Sequence, residues 1–172
     1  MKTGILLTVL VILFTSCSKN KDSSELRPLL LEQLKNTYDH QNWFVPTKAA
    51  IEGLTAEQSN WKDSTENHSI GELVSHIVFW SEVNLRGFKG EEMPGFEVDN
   101  ETTFQNYTEE EWQNLTAKLD SIQSEWQQLT GTATSEQLMQ WGSEIANMTA
   151  HNAYHSGQII YIRKRNGWWN RK

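Results

Sequence analysis

A single cysteine, Cys17, is the whole thiol inventory of this 172-residue sequence. No internal disulfide is therefore available, and no cluster of thiolates can hold a metal ion within the fold. Proline is nearly as scarce. Pro28, Pro46 and Pro94 are the three present, all at places where a helix would start or stop, so the stretches between them are free to be helical. Cations are in deficit as well, with 15 Lys and Arg against 22 Asp and Glu for a net charge of −7. Affinity for nucleic acid rests on neutralising phosphates, and no basic stripe interleaved with aromatics compensates here, so no nucleic-acid partner is expected. The one basic cluster, Arg163, Lys164, Arg165, Arg171 and Lys172, lies at the C-terminus, where cations favourably meet the negative end of a helix.

Long apolar runs are missing too. The run from Ile5 to Phe14, broken by Thr8, is too short to span a bilayer and has the length of a signal-peptide core. It follows Lys2 and precedes Thr15-Ser16-Cys17. That ending resembles the lipobox of bacterial lipoprotein precursors, with Phe14 where Leu is commoner. The resemblance implies that Cys17 is lipidated and becomes the first residue after cleavage. The protein would then be anchored in the bacterial cell envelope, on the periplasmic face or at the cell surface. The alternative is an ordinary cleaved signal peptide that leaves Cys17 as an incidental thiol. Residues 18–25 have the polarity of a tether. Residues 26–172, about 147 in number, are the size of one domain with one core.

What the sequence does have is helical periodicity. Leu30, Leu34 and Tyr38 recur at four-residue spacing in a first segment over about Leu26 to Tyr38, giving one apolar face. Trp43-Phe44-Val45-Pro46 closes it, and a shorter helix is expected over Thr47 to Leu54. Three pairs, Thr55 with Gln58, Ser69 with Glu72 and Thr108 with Glu111, have the form of capping boxes and mark helix starts. A second long helix is expected from Ile70 to Phe88, with Ile70, Leu73, Val74, Ile77 and Trp80 on its apolar face. Lys89 to Phe104 is expected to be a long loop of the kind that often carries function. A third helix, Glu109 to Leu129, places Trp112, Leu115, Leu119, Ile122, Trp126 and Leu129 at alternating spacings of three and four, the seam of a bundle. A fourth is expected from Glu144 to Arg165, with Gly167 at its C′ position. Four amphipathic helices and no alternating strand predict an all-α four-helix bundle with long loops.

Of the five histidines, His151 and His155 are four residues apart, so both leave one face of the fourth helix and can chelate one ion. They sit in the stripe of Met148, Ile159 and Ile162, where an imidazole must find a polar partner. His76, on the flank of the second helix beside Leu73 and Trp80, is the third candidate; its structural alternative is a core histidine bonded to a neighbouring helix. His40 and His68 fall in turns and are expected to be solvated. Three neutral imidazoles suit zinc, nickel, iron or copper, with zinc, nickel or iron expected, and three protein ligands with open positions are the pattern of a reactive site.

At these residues the chain resembles the DinB/YfiT-like family of metalloenzymes. The resemblance rests on Gly71-Glu72-Leu73-Val74-Ser75-His76-Ile77 with Trp80, and on His151-Asn152-Ala153-Tyr154-His155-Ser156-Gly157-Gln158-Ile159-Ile160. Trp43 to Pro46 and Leu54 to Gln58 look like the family's opening region, so about Leu26 to Arg165 is covered. It implies a metal triad of His76, His151 and His155 and an up-down-down-up four-helix bundle, often dimeric. Some members are thiol-dependent transferases or isomerases. Asn152 stands where many relatives carry an acidic residue, which argues against that position steering the neighbouring imidazole or moving a proton.

Two functional classes follow. One is a metal-dependent transferase or hydrolase acting on a small molecule, for which Glu72, one turn before His76, is the candidate general base; its place in a capping box explains it equally well. The other is a non-catalytic envelope protein that binds metal or a small ligand. Reduced small thiols belong mainly to the cytosol, so export weighs against thiol transfer. Tyr154 points off the ligand face and is expected in packing, and Trp168-Trp169 is a candidate contact with a membrane surface or a second copy.

Overall fold

The computed structural model describes residues 23–92 and 98–169. The expected signal segment, Cys17, the expected tether up to residue 22, and Pro94, Gly95 and Phe96 of the long loop lie outside the described residues. No strand occurs among those described, and none of their helices is long and apolar enough to cross a membrane.

The helices are α1 (Ser23–Tyr38), α2 (Thr47–Ile51), α3 (Ala56–Asn60), α4 (Ile70–Phe88), α5 (Glu109–Thr132) and α6 (Ser135–Arg165), with a 3₁₀ turn at Asn100–Thr103. α4 has the predicted limits. α1 begins before Leu26, so Pro28 falls inside it rather than in its first turn. α5 runs on to Thr132, and α6 begins nine residues before Glu144, at Ser135, where Thr134 caps it by accepting from the Gln137 N–H. All three predicted capping boxes form, at Thr55, Ser69 and Thr108. Each is worth about 1 kcal/mol to its helix. At the far end of α6, Gly167 adopts φ +71°. There the Trp168 N–H reaches Arg163 O at 2.8 Å and the Gly167 N–H reaches Lys164 O at 3.2 Å. This is a Schellman closure that a residue with a Cβ would strain.

α1, α4, α5 and α6 form the bundle. α1 and α4 each pack on both α5 and α6, and so occupy opposite corners. Bonded pairs give the directions. Glu82 with Lys118 and Lys89 with Glu125 ascend together, so α4 and α5 are parallel. Arg27 with Ala133 and Tyr38 with Asp120 run oppositely, so α1 opposes α5. Phe88 with Gln137 and His76 with His151 set α4 against α6. The order is up, down, down, up, and the long connection from α4 to α5 is what allows two consecutive helices to run the same way.

Leu34, Ile70, Leu73, Val74, Ile77, Leu119, Trp126, Leu138, Ile145 and Ile159 fill the centre with almost no exposure. The two seam tryptophans keep their indole N–H groups satisfied by backbone carbonyls, Trp112 on Leu54 O at 2.9 Å and Trp126 on Ser81 O at 3.1 Å. Gly142 lies inside α6, where a Cβ would meet the side chain of Leu26 at 3.4 Å, an ordinary contact. Trp168, offered by the sequence as an outward contact, packs back on its own chain, edge-on to Trp61 at 5.9 Å. Trp169 lies against the Arg163 guanidinium at 5.1 Å.

Candidate metal centre

α4 and α6 cross antiparallel at the middle of the bundle, and the crossing brings His76 to the His151–His155 pair. The Nε2 atoms of His76 and His155 each lie 3.0 Å from Nε2 of His151, and one nitrogen from each ring falls within 4.8 Å of the others. His76 and His155 are buried and His151 is half-buried. All three predicted ligands are therefore brought together.

The opposite nitrogen of each ring explains why the Nε2 atoms face inward. His76 Nδ1 lies 2.7 Å from Thr103 Oγ1, and that hydroxyl donates its own proton to Asn100 O at 2.7 Å. Thr103 Oγ1 is thus left as an acceptor, so the His76 proton resides on Nδ1 and Nε2 carries a bare lone pair. His155 Nδ1 donates to Gln158 Oε1 at 2.6 Å, and His151 Nδ1 faces Asn152 Oδ1 at 3.4 Å. Three lone pairs consequently point at one place. Moving the His151 proton to Nε2 could serve only one of its two neighbours. A cation between the rings satisfies all three at once. Two nitrogens held about 2.0–2.1 Å from one ion stand about 2.9 Å apart at a right angle and about 3.4 Å apart at the tetrahedral angle. The 3.0 Å that separates His151 from each of the other two lies within that interval, and His76 and His155 lie within 4.8 Å of each other, so the group could hold a divalent ion.

Electrostatics favour the ligand form. Burial, reinforced by the charges His151, His155 and His68 would carry, pushes the His76 pKa down to about 4. Burial likewise lowers His151 and His155, against the raising effect of Asn152 and Gln158 respectively. The rings are neutral at pH 7, as metal donors must be.

Several expectations change. His68 is half-buried rather than fully solvated: its ring stacks on Phe104 at 3.6 Å, and Phe104 stacks on His76 at 4.4 Å. His40 is exposed, as expected. Asn152 is buried and faces His151, so it does help to steer that ring. Tyr154 is 65% exposed rather than packed. The oxygens of Glu72 are engaged by the Ser69 N–H at 2.8 Å, by Lys62 Nζ at 3.1 Å to each oxygen, and by His68 Nδ1 at 3.3 Å. Burial raises its pKa, but the Ser69 N–H and Lys62 outweigh that and hold it below the ordinary value. Its capping-box role accounts for its position.

The open side of the triad leads into a cleft of about 340 Å³. His76 and His151 form part of its floor, with Trp80, Asn84, Asn100 and Glu144 among its other lining residues. Trp80, predicted on the core face, is instead half-exposed as one wall, with its indole N–H on Asn100 Oδ1 at 3.2 Å. Trp141 packs edge-on against Phe88 at 5.8 Å and does not line the cleft. Thr103, Asn100, Gln158 and Glu144 were not anticipated from the sequence. Gln158 had a signal, three residues after His155 on one helical face. Thr103 had none, because its link to His76 is a tertiary one across the loop.

A family model described as the DinB superfamily matches residues 46–159. The chain belongs to the DinB superfamily. The match contains α2 to most of α6 and with them His76, His151 and His155, so the resemblance drawn from the sequence motifs holds over the helices that build the site. Comparison with curated proteins and with solved structures gave no match.

Proposed function

We propose that this DinB-superfamily protein holds one divalent metal ion, zinc, nickel or iron, through His76, His151 and His155. We propose further that it uses the ion's open side to act on a small molecule as a metal-dependent transferase or hydrolase in the bacterial cell envelope. The observation that carries the proposal is the convergence of three bare Nε2 atoms whose opposite nitrogens all face side-chain oxygens, next to an open cleft. A divalent ion held there supplies a Lewis acid that polarises a carbonyl or acidifies a water or thiol. The chain's own residues do the rest. Thr103, Gln158 and Asn152 fix the imidazole rings, Phe104 and Trp80 shield His76 from water, and the amides of Asn84 and Asn100 line the path a substrate takes. Attachment through a lipid on Cys17 follows from the lipobox-like start of the sequence.

A second reading is favoured by one specific observation. Lys62, Ser69 and His68 engage the Glu72 carboxylate nominated from the sequence as a general base, which supports a site that serves to bind rather than to convert. The two are separated by screening metal-loaded protein against small esters, amides and thiol acceptors, with His155→Ala as control. Turnover that requires the metal and is lost in the variant supports the enzyme; metal-dependent binding without turnover supports the binding protein.

A further inference from the structure

The polar groups of the cleft beside the histidines form an uneven set. Asn84 spends a donor on Trp80 O at 2.8 Å, leaving its carbonyl oxygen to accept. Asn100 Oδ1 is taken by the Trp80 indole, leaving its amide hydrogens to donate. Glu144 lines the same cleft with Asn147 and Met148, and no Lys or Arg does so among the described residues. Glu144, Met148 and His151 are separated by four and then three residues on α6, so they share one helical face. The carboxylate stands about two turns, roughly 10 Å of helix rise, from His151.

A ligand here meets three chemistries in order. At the floor is a position for a cation, which takes an anionic donor. Along the walls are the apolar surfaces of Trp80 and Met148, and at the outer end is a carboxylate with no cationic side chain in the cleft to neutralise it. Resting on the metal reading above, we infer that the cleft takes a small molecule with an anionic donor at one end and an ammonium group at the other, joined by a short aliphatic chain, the ammonium being held by Glu144. A metal–donor contact of about 2.1 Å and an ammonium–carboxylate contact of about 2.8 Å take up part of that separation, leaving a span that about four or five carbons cover. Specificity for the amine resides at Glu144, outside the metal ligands. Because Glu144 is exposed, its pairing with an ammonium is of the modest surface kind, and a preference of about fivefold is expected.

The test uses the purified chain loaded with zinc, its metal content measured first by elemental analysis, and then titrated calorimetrically with pentanoate, 5-aminopentanoate and glutarate. 5-Aminopentanoate is expected to bind about fivefold more tightly than pentanoate, and glutarate more weakly than pentanoate. Glu144→Gln should erase the preference for the amine and relieve the penalty on glutarate, and its exposed position makes a folding defect a poor explanation of that result. Equal affinity for the first two acids, a preference that survives Glu144→Gln, or failure of loaded protein to bind either acid overturns the inference while leaving the metal reading intact. A protein that takes up no ion overturns both.

Discussion

Thr103 offers a demanding test of how the site is held. It sits in the 3₁₀ turn between α4 and α5, is 3% exposed, and takes the His76 Nδ1 proton at 2.7 Å. Thr103→Val preserves shape and retains the backbone carbonyl that accepts from Ser75 Oγ at 2.7 Å. It deletes the acceptor for His76 and, with it, the hydroxyl that donates to Asn100 O at 2.7 Å. The His76 N–H is then left buried without a partner, at a cost of about 1–3 kcal/mol, or the proton moves to Nε2 and blocks the lone pair meant for the ion. Loss of such a partner typically weakens metal affinity by about 10–100-fold. Competition against a chromophoric chelator reads this directly. Thr103→Val should weaken zinc affinity within that range and Thr103→Ser should restore most of it, with the Thr103→Val apoprotein melting below the wild type and the Thr103→Ser apoprotein near it. If Thr103→Val held zinc as tightly as the native protein, the tautomer argument would be wrong and the inward lone pairs would need another cause.

Three further outcomes are expected. Leu119 is fully buried in the α5 seam; Leu119→Asp should prevent cooperative folding, and Leu119→Ala should cost about 2–5 kcal/mol, read as a loss of helical circular dichroism or a lowered melting temperature. In the metal-free protein the folded state takes up the His76 proton only near pH 4, against 6.5 for an unperturbed imidazole. Its stabilising contribution is therefore complete above about pH 6.5 and fades as pH falls toward 4, while bound metal is released over the same fall; urea midpoints that rise on acidification would contradict the sign. Cys17→Ser should release the protein from membranes or stall it as an uncleaved precursor, and a native protein as soluble as the variant would count against the anchor.

How much of this was legible in the sequence depends on the range of the interaction. Capping boxes act over three residues, and Thr55, Ser69 and Thr108 were readable with their helices. The His151–His155 pair is one helical turn and equally local. The first turns of α6, from Ser135, were not read as helix, although Thr134 with Gln137 carried the same local cue. Thr103 and the His68–Phe104–His76 stack depend on where the long loop folds back, and no periodicity encodes that. Glu72 was readable as the capping-box partner of Ser69, which it is, but Lys62, which engages both of its oxygens, comes from the segment after α3 and left no local cue.

The central claim is that three imidazoles on two antiparallel helices hold one ion, and it is tested most directly by counting that ion. Elemental analysis of the chain after exposure to zinc, nickel or iron and removal of the excess should give close to one divalent ion per chain. His76→Ala, His151→Ala and His155→Ala should each lose most of it, and His40→Ala should retain it. A wild-type protein that retained none of these ions, or a His76→Ala variant that held its ion as firmly as the wild type, would contradict the account.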